Sequence, residues 1–256
     1  MKSFEDTVSS RFLSVGKRIL TRPVRLALLR VPFLPSSVAR MLDDIRFVEP
    51  DVLRFVGNTV RRGWCCVDVG AHCGTVSLRM AKLVSASGLV IAVEPIPENA
   101  DLLERNLRSE GLLSRCVVVR AAAGAEESRS VMLRGEHSTT WRIVAPDEVD
   151  GKTERVDVRC LDEICRPHRA PDFVKVDIEG GEVELMAGAR EVLSASRPVW
   201  LFEMHFPKSW RLVPEFLSLG YRAFFLDGSE IPNPVPGNLR YGHVVFCPQE
   251  KIGLLG

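Results

Sequence analysis

The stretch from Cys65 to Asn99 constrains this chain most. It begins Cys-Cys-Val-Asp-Val-Gly-Ala-His-Cys-Gly-Thr-Val-Ser and ends Val-Ile-Ala-Val-Glu-Pro-Ile-Pro-Glu-Asn, with a segment of helical spacing between. The apolar run 65–69 predicts a buried strand, Gly70 and Gly74 a turn, and 75–84 a helix. The run 89–93 predicts a second buried strand, ending on the acid Glu94. A strand, a glycine turn, a helix and a strand that ends on an acid form half of a nucleotide-binding α/β unit. The turn lets backbone approach a ligand, and the acid can hold a ribose diol.

The spacing narrows the ligand. Dinucleotide turns read Gly-x-Gly-x-x-Gly, whereas here Asp68-x-Gly70-x-x-x-Gly74 places an acid inside the end of the first strand. A pyrophosphate is not implied, and a nicotinamide dehydrogenase is disfavoured. An acidic turn suits a cation, and S-adenosyl-L-methionine carries both an ammonium and a sulfonium. The expected cofactor-binding residues are Asp68, Gly70, Ala71, His72, Gly74, Thr75, Glu94, Pro95, Ala122 and Asp177. Read without a ligand, the same glycines would only permit the turn.

Composition excludes some partners. The 256 residues carry a formal net charge of +1, so no global basic signature for nucleic acid exists. The seven cysteines contain no Cys-x-x-Cys pair and sit mostly in apolar runs, which points to small buried hydrophobes in a reducing, cytoplasmic setting rather than to zinc ligands or disulfides. No metal is assigned. Charge is nevertheless uneven: Lys2, Arg11, Lys17, Arg18, Arg22, Arg25, Arg30 and Arg40 stand against Glu5 and Asp6 in the first forty residues. These basic residues interrupt the apolar run 13–34, so it predicts neither a secretory signal nor a transmembrane helix. Residues 1–45 are expected to be a basic helical extension, and 46–256 the main domain. The extension suits peripheral contact with an anionic membrane face, or packing on the domain as a lid or homodimer contact.

Further along, 98–111 predicts a helix stopped at Gly111, and 116–119 a third strand before the small-residue run 121–124, where an adenine would lie. Short alternating runs at 130–133, 141–144 and 154–158 predict antiparallel strands over the sheet, with Trp141 either a sugar platform or a packing residue. The run 172–177 predicts a fourth buried strand ending in Asp177, 182–193 a helix with a break near Gly188, and 198–203 a fifth strand followed by His205. A helix over 209–219 and a hairpin pair at 221–226 and 243–247 close the chain. Strand–helix alternation of this kind predicts an α/β fold: a mostly parallel seven-stranded sheet with helices on both faces and a closing antiparallel hairpin.

Several of these runs together resemble the FkbM family of S-adenosylmethionine-dependent methyltransferases. They are 67–74 (Val-Asp-Val-Gly-Ala-His-Cys-Gly), Val93-Glu94-Pro95, Leu161-Asp162-Glu163, 173–182 (Phe-Val-Lys-Val-Asp-Ile-Glu-Gly-Gly-Glu), Leu185-x-x-Gly188-Ala189 and Phe202-Glu203. The Lys-x-Asp-x-Glu-Gly run is the most discriminating. His72-Cys73 departs from the asparagine and aliphatic residue of many relatives. The resemblance covers about 64–205. It implies a Rossmann-like class I methyltransferase that O-methylates a sugar, glycolipid or related natural product.

Methyl transfer requires a hydroxyl aligned with the methyl carbon and a group to take its proton. Asp177, Glu179 and His205, at adjacent strand ends, are the expected catalytic residues, with Asp177 or His205 as base. Glu179 or Glu182 could instead bind the acceptor or cap the next helix. Two other readings stay open: a methyltransferase acting on protein or RNA, and a catalytically silent binding protein on the same fold.

Overall fold

The computed structural model describes residues 50–126, 130–134, 142–144, 153–204, 207–237, 239 and 241–255. Its elements in chain order are α1 (Pro50–Thr59), β1 (Cys65–Val69), α2 (Thr75–Val84), β2 (Leu89–Val93), α3 (Pro97–Ser109), β3 (Cys116–Val119), β4 (Ala122–Gly124), β5 (Ser130–Arg134), β6 (Arg142–Val144), β7 (Thr153–Cys160), α4 (Leu161–Cys165), β8 (Phe173–Val176), α5 (Glu182–Ala187), β9 (Val199–Met204), α6 (Leu212–Ser218), β10 (Tyr221–Phe225) and β11 (Gly242–Pro248). The expected segments 1–45, Trp141 and His205 lie outside the described residues.

A seven-stranded sheet runs in the order β10-β11-β9-β8-β1-β2-β3. β3, β2, β1, β8 and β9 are parallel, and β11 pairs antiparallel with both β9 and β10. The expected fold class is therefore the observed one. A second sheet, β4-β7-β5-β6, carries the three short strands expected between 130 and 158.

The parallel strands β1, β2, β8 and β9 are buried on both faces, which is why they read as nearly continuous apolar runs. Their side chains alternate between two cores. Val67, Val69, Val174, Val176, Trp200 and Phe202 pack against α4, α5 and α6. Cys66, Val90, Ala92, Phe173 and Leu201 face α1, α2 and α3. Those helices present helical periods to the sheet: Ser77, Met80, Ala81 and Val84 from α2, and Ala100, Leu103 and Leu107 from α3, are all buried. Fully burying a side chain such as Leu103 contributes about 1.5–3 kcal/mol.

Topology places the site. The chain winds one way from β1 to β3 and the other way from β8 to β9, so the order reverses between β1 and β8. At such a reversal the connections leave in opposite directions and open a crevice beyond the carboxyl ends. Gly70 and Asp177 follow those two ends directly.

Candidate functional site

The turn after β1 is built on backbone that leaves the ordinary L-residue regions. Gly70 (φ +77°), His72 (φ +50°) and Gly74 (φ +94°) all have positive φ. The amides of Gly70 and Ala71 both donate to the Val93 carbonyl at 3.0 Å, so the turn folds over the end of β2. On its other side, a Cβ at Gly70 would lie 1.8 Å from the Asp177 carbonyl oxygen. The Asp177 amide donates to the Val69 carbonyl at 3.0 Å. Only glycine lets the first turn press this closely on the fourth strand end. Thr75 opens α2, whose first turn carries no side-chain cap.

Glu94 stands at the next strand end, nearly buried. Its Oε2 accepts from the His72 amide at 2.8 Å, and its Oε1 from the Ile96 amide at 3.0 Å and Asn99 Nδ2 at 3.3 Å. These donors fix the carboxylate and tie it to the first turn. Burial pushes the Glu94 carboxyl above its ordinary range, and the Ile96, His72 and Asn99 donors oppose that shift without cancelling it. Pro95 is half-buried beside it. Ile96 packs with Ala122, Val156 and Val158, a small apolar patch next to the acid.

Asp68 has no solvent-facing surface. Its Oδ2 accepts from Ser77 Oγ at 2.6 Å, and its Oδ1 lies 3.6 Å from Lys175 Nζ. Burial raises its pKa, with Lys175 and Ser77 opposing. The acid singled out in the sequence therefore lies behind the turn, with no surface of its own on the crevice.

Lys175 is the residue that reading the sequence as a string did not place. It sits on β8 in register with Asp68, nearly buried. Its ammonium donates to Asp177 Oδ2 at 3.0 Å and to the Gly70 carbonyl at 3.3 Å. Burial alone would lower its pKa, but the Asp177 and Asp68 carboxylates raise it by more, so the amine stays protonated. The available signal was a lysine flanked by Val174 and Val176 in a buried run, which demands partners of opposite charge.

Asp177 is half-buried at the mouth of this arrangement. After it the chain reverses through Glu179 (φ +54°) and Gly180 (φ +99°). Glu182, fully buried, holds that reversal: its Oε1 accepts from the Gly180 amide at 3.0 Å and its Oε2 from Ser209 Oγ at 2.8 Å. Of the two acids left open between acceptor binding and capping, Glu182 is thus a structural brace. Glu179 is half-buried on the loop.

A further group lies at the end of β9. Tyr241 Oη donates to Glu203 Oε1, and His243 Nε2 is 3.8 Å from Glu203 Oε2. Antiparallel register sets His243 opposite Glu203, a pairing with no local trace in the sequence. A groove of about 470 Å³ runs along the outer sheet edge, lined by Val119, Arg120, Asp157, Arg159 and His168 among others, and none of the expected site residues lines it. Among the described residues, no group of His, Cys, Asp or Glu is arranged to hold a metal ion, and no helix is long and apolar enough to cross a membrane.

The strand-end crevice thus has a fixed carboxylate at one side (Glu94), a lysine-held carboxylate at the other (Asp177) and a glycine turn between. That donor-accepting set suits a ligand with a diol at one end and a cation at the other.

The fold is similar to the crystal structure of a methyltransferase FkbM from Methylobacillus flagellatus KT, at 20% identity and TM-score 0.49, covering 76% of this chain and 50% of that one. It is similar to an SAM-dependent O-methyltransferase from Thermotoga maritima, at 17% identity and TM-score 0.47, covering 78% and 65%. It is also similar to Aeropyrum pernix fibrillarin with natively bound S-adenosyl-L-methionine, at 12% identity and TM-score 0.45, covering 73% and 68%. The chain thus spans about half the length of the first of these and less than two thirds of the second. No curated protein matches the sequence. The family model of the methyltransferase FkbM domain matches residues 68–223, more than half of the chain and every element of the crevice from Asp68 to Glu203, and the chain belongs to that family.

Proposed function

We propose that this chain transfers a methyl group from S-adenosyl-L-methionine to a hydroxyl oxygen of a small polyhydroxylated acceptor: a sugar, a glycolipid or a related natural product. The observation that carries the reading is the pair of strand-end carboxylates, Glu94 and Asp177, set on either side of the Gly70 turn. Glu94, fixed by the His72 and Ile96 amides, accepts from the two ribose hydroxyls with one oxygen each. The turn of Gly70, Ala71, His72 and Gly74 lies against the methionine part, with the uncapped first turn of α2 at Thr75 available to its carboxylate. Ala122 and its apolar neighbours lie beside the adenine. When bound, the sulfonium supplies an electrophilic methyl carbon with a neutral thioether as leaving group.

Asp68, Lys175 and Asp177 together carry a net charge of one negative, close behind and beside the turn. That residual charge favours a cationic ligand over a neutral or anionic one. Asp177, at the crevice mouth, takes the acceptor's proton, with His205 as the other candidate base. Such a group contributes roughly 10²–10⁴-fold. Alignment of the hydroxyl contributes more, up to ~7–11 kcal/mol of barrier. Glu179, on the strained loop after β8, contacts the acceptor. The basic segment 1–45 would bring the chain to an anionic membrane face, the place of a lipid-linked acceptor.

Calorimetry with S-adenosyl-L-methionine tests the cofactor, with Glu94→Ala expected to abolish binding. Unchanged affinity in that variant would remove Glu94 from the site. Mass spectrometry of metabolites and lipids from a deletion strain tests the acceptor. A species lighter by one methylene is expected, and its hydroxyl identifies the methylated position.

A further inference from the structure

We propose that Lys175 is a positioning residue for the methionine half of the cofactor, holding the Gly70 carbonyl and the Asp177 carboxylate in the places from which they meet it. The inference rests on the cofactor reading above and assigns a role inside it.

Three observations carry it. First, the ammonium reaches three partners on separate pieces of backbone: Asp177 Oδ2 at 3.0 Å, the Gly70 carbonyl at 3.3 Å and Asp68 Oδ1 at 3.6 Å. One cation thereby joins the turn after β1, the end of β8 and the interior of β1. Ser77 extends the chain of contacts into α2 through Asp68 Oδ2 at 2.6 Å. Second, the position is a poor one for an ion pair if stability were its purpose. Lys175 and Asp68 lie on central strands among fully buried Cys66, Val90, Ala92 and Phe173. Apolar residues of similar volume at such a pair are commonly neutral or stabilising, because two ions no longer have to be taken from water. Third, the two elements it ties already touch along their backbones, through the Asp177 amide and the Val69 carbonyl at 3.0 Å. What the lysine adds is a fixed direction for one carbonyl and one carboxylate at the two strand ends that bound the crevice.

The consequence is divided between the two halves of the ligand. Glu94 is held by His72, Ile96 and Asn99, whereas Lys175 donates to the Gly70 carbonyl and to Asp177. The nucleoside half should be indifferent to Lys175, and the methionine half should not.

The experiment is titration calorimetry of Lys175→Met with S-adenosyl-L-homocysteine, which has both halves, and with 5′-methylthioadenosine, which lacks the amino-acid end. The dissociation constant for the first is expected to rise roughly tenfold or more, and that for the second to stay within about threefold. Because the single variant strands two carboxylates, the double variant Asp68→Asn/Lys175→Met is measured alongside. It removes the buried pair and leaves the net charge of the cluster unchanged. It is expected to regain the wild-type melting temperature without regaining affinity for S-adenosyl-L-homocysteine. Equal loss of both ligands in the single variant, or recovery of affinity together with melting temperature in the double, would overturn the proposal and leave Lys175 a structural ion. Failure of the wild-type protein to bind S-adenosyl-L-homocysteine at all would overturn the cofactor reading itself.

Discussion

At the scale of single residues, the crevice is held by groups that burial makes costly, and the cost has a sign that can be measured. Glu94 and Asp68 both have folded-state pKa values raised above their ordinary range, with burial the first cause in each. A carboxyl with a raised folded-state pKa binds protons more readily folded than unfolded. Its contribution is therefore most favourable below the unfolded value, near about 4, and is lost as pH rises through the folded value. Thermal melts of the wild type and Glu94→Gln should diverge accordingly: relative to the variant, the wild type loses stability as pH rises above the unfolded carboxyl value of about 4. A difference that stays flat as pH rises would show that Glu94 is not held against its charge. Backbone makes a second residue-level test. Alanine at Gly70 meets both a positive φ and an oxygen 1.8 Å from its Cβ, whereas at Gly111 (φ +68°) a Cβ meets nothing within 4 Å. Gly111→Ala should cost roughly 1–2 kcal/mol from the left-handed backbone alone. Gly70→Ala should cost several-fold more, or fail to fold, because Asp177 must also be displaced. Chemical denaturation of the two variants separates these outcomes.

Elements explain which parts of the chain were legible. Strands β1 and β2 begin and end where the apolar runs do, because a strand buried on both faces is apolar along nearly its whole length, the partnered Asp68 excepted. Helix α3 ends at Ser109, with Gly111 two residues on in the left-handed region. The expected helix over 182–193 stops at Ala187, at the break expected near Gly188. Its physical reason is remote: a Cβ at Gly188 would lie 2.1 Å from the Gly124 carbonyl oxygen, so β4 and the end of α5 meet backbone to backbone. Asp162 then takes over. Its amide donates to the Gly188 carbonyl at 2.9 Å, and its carboxylate accepts the amides of Glu191 at 3.0 Å and Val192 at 2.9 Å. The Leu161-Asp162-Glu163 and Gly188-Ala189 motifs, distant in sequence, are thus two sides of one capping arrangement. Asp162→Ala should lower stability by about 0.5–2 kcal/mol, the cost of a lost cap, while affinity for S-adenosyl-L-homocysteine stays at the wild-type value. A loss of affinity matching that of a crevice variant would tie the motif to the ligand instead.

The whole molecule shows why the site was only half readable. Gly70, Glu94 and Asp177 announce themselves because each follows a strand directly, and strand ends can be read from a string. Lys175 and Asp68 become partners only through parallel register between β1 and β8. His243 and Glu203 do so only because β11 inserts antiparallel between β9 and β10. The same architecture separates stability from chemistry. Under β9, β11 and β10, Phe216 stacks on Phe246 at 3.9 Å between ring centroids and meets Trp200, Phe202 and Tyr221 edge-on. The crevice, by contrast, opens between β1 and β8, where the winding direction reverses. Phe216→Ala should therefore cost about 3–5 kcal/mol by denaturant unfolding, with cofactor affinity measured below the unfolding transition staying within about threefold of wild type. If affinity fell in step with stability, the aromatic cluster and the crevice would be one cooperative unit, and the division of the fold into a supporting flank and a working one would have to be given up.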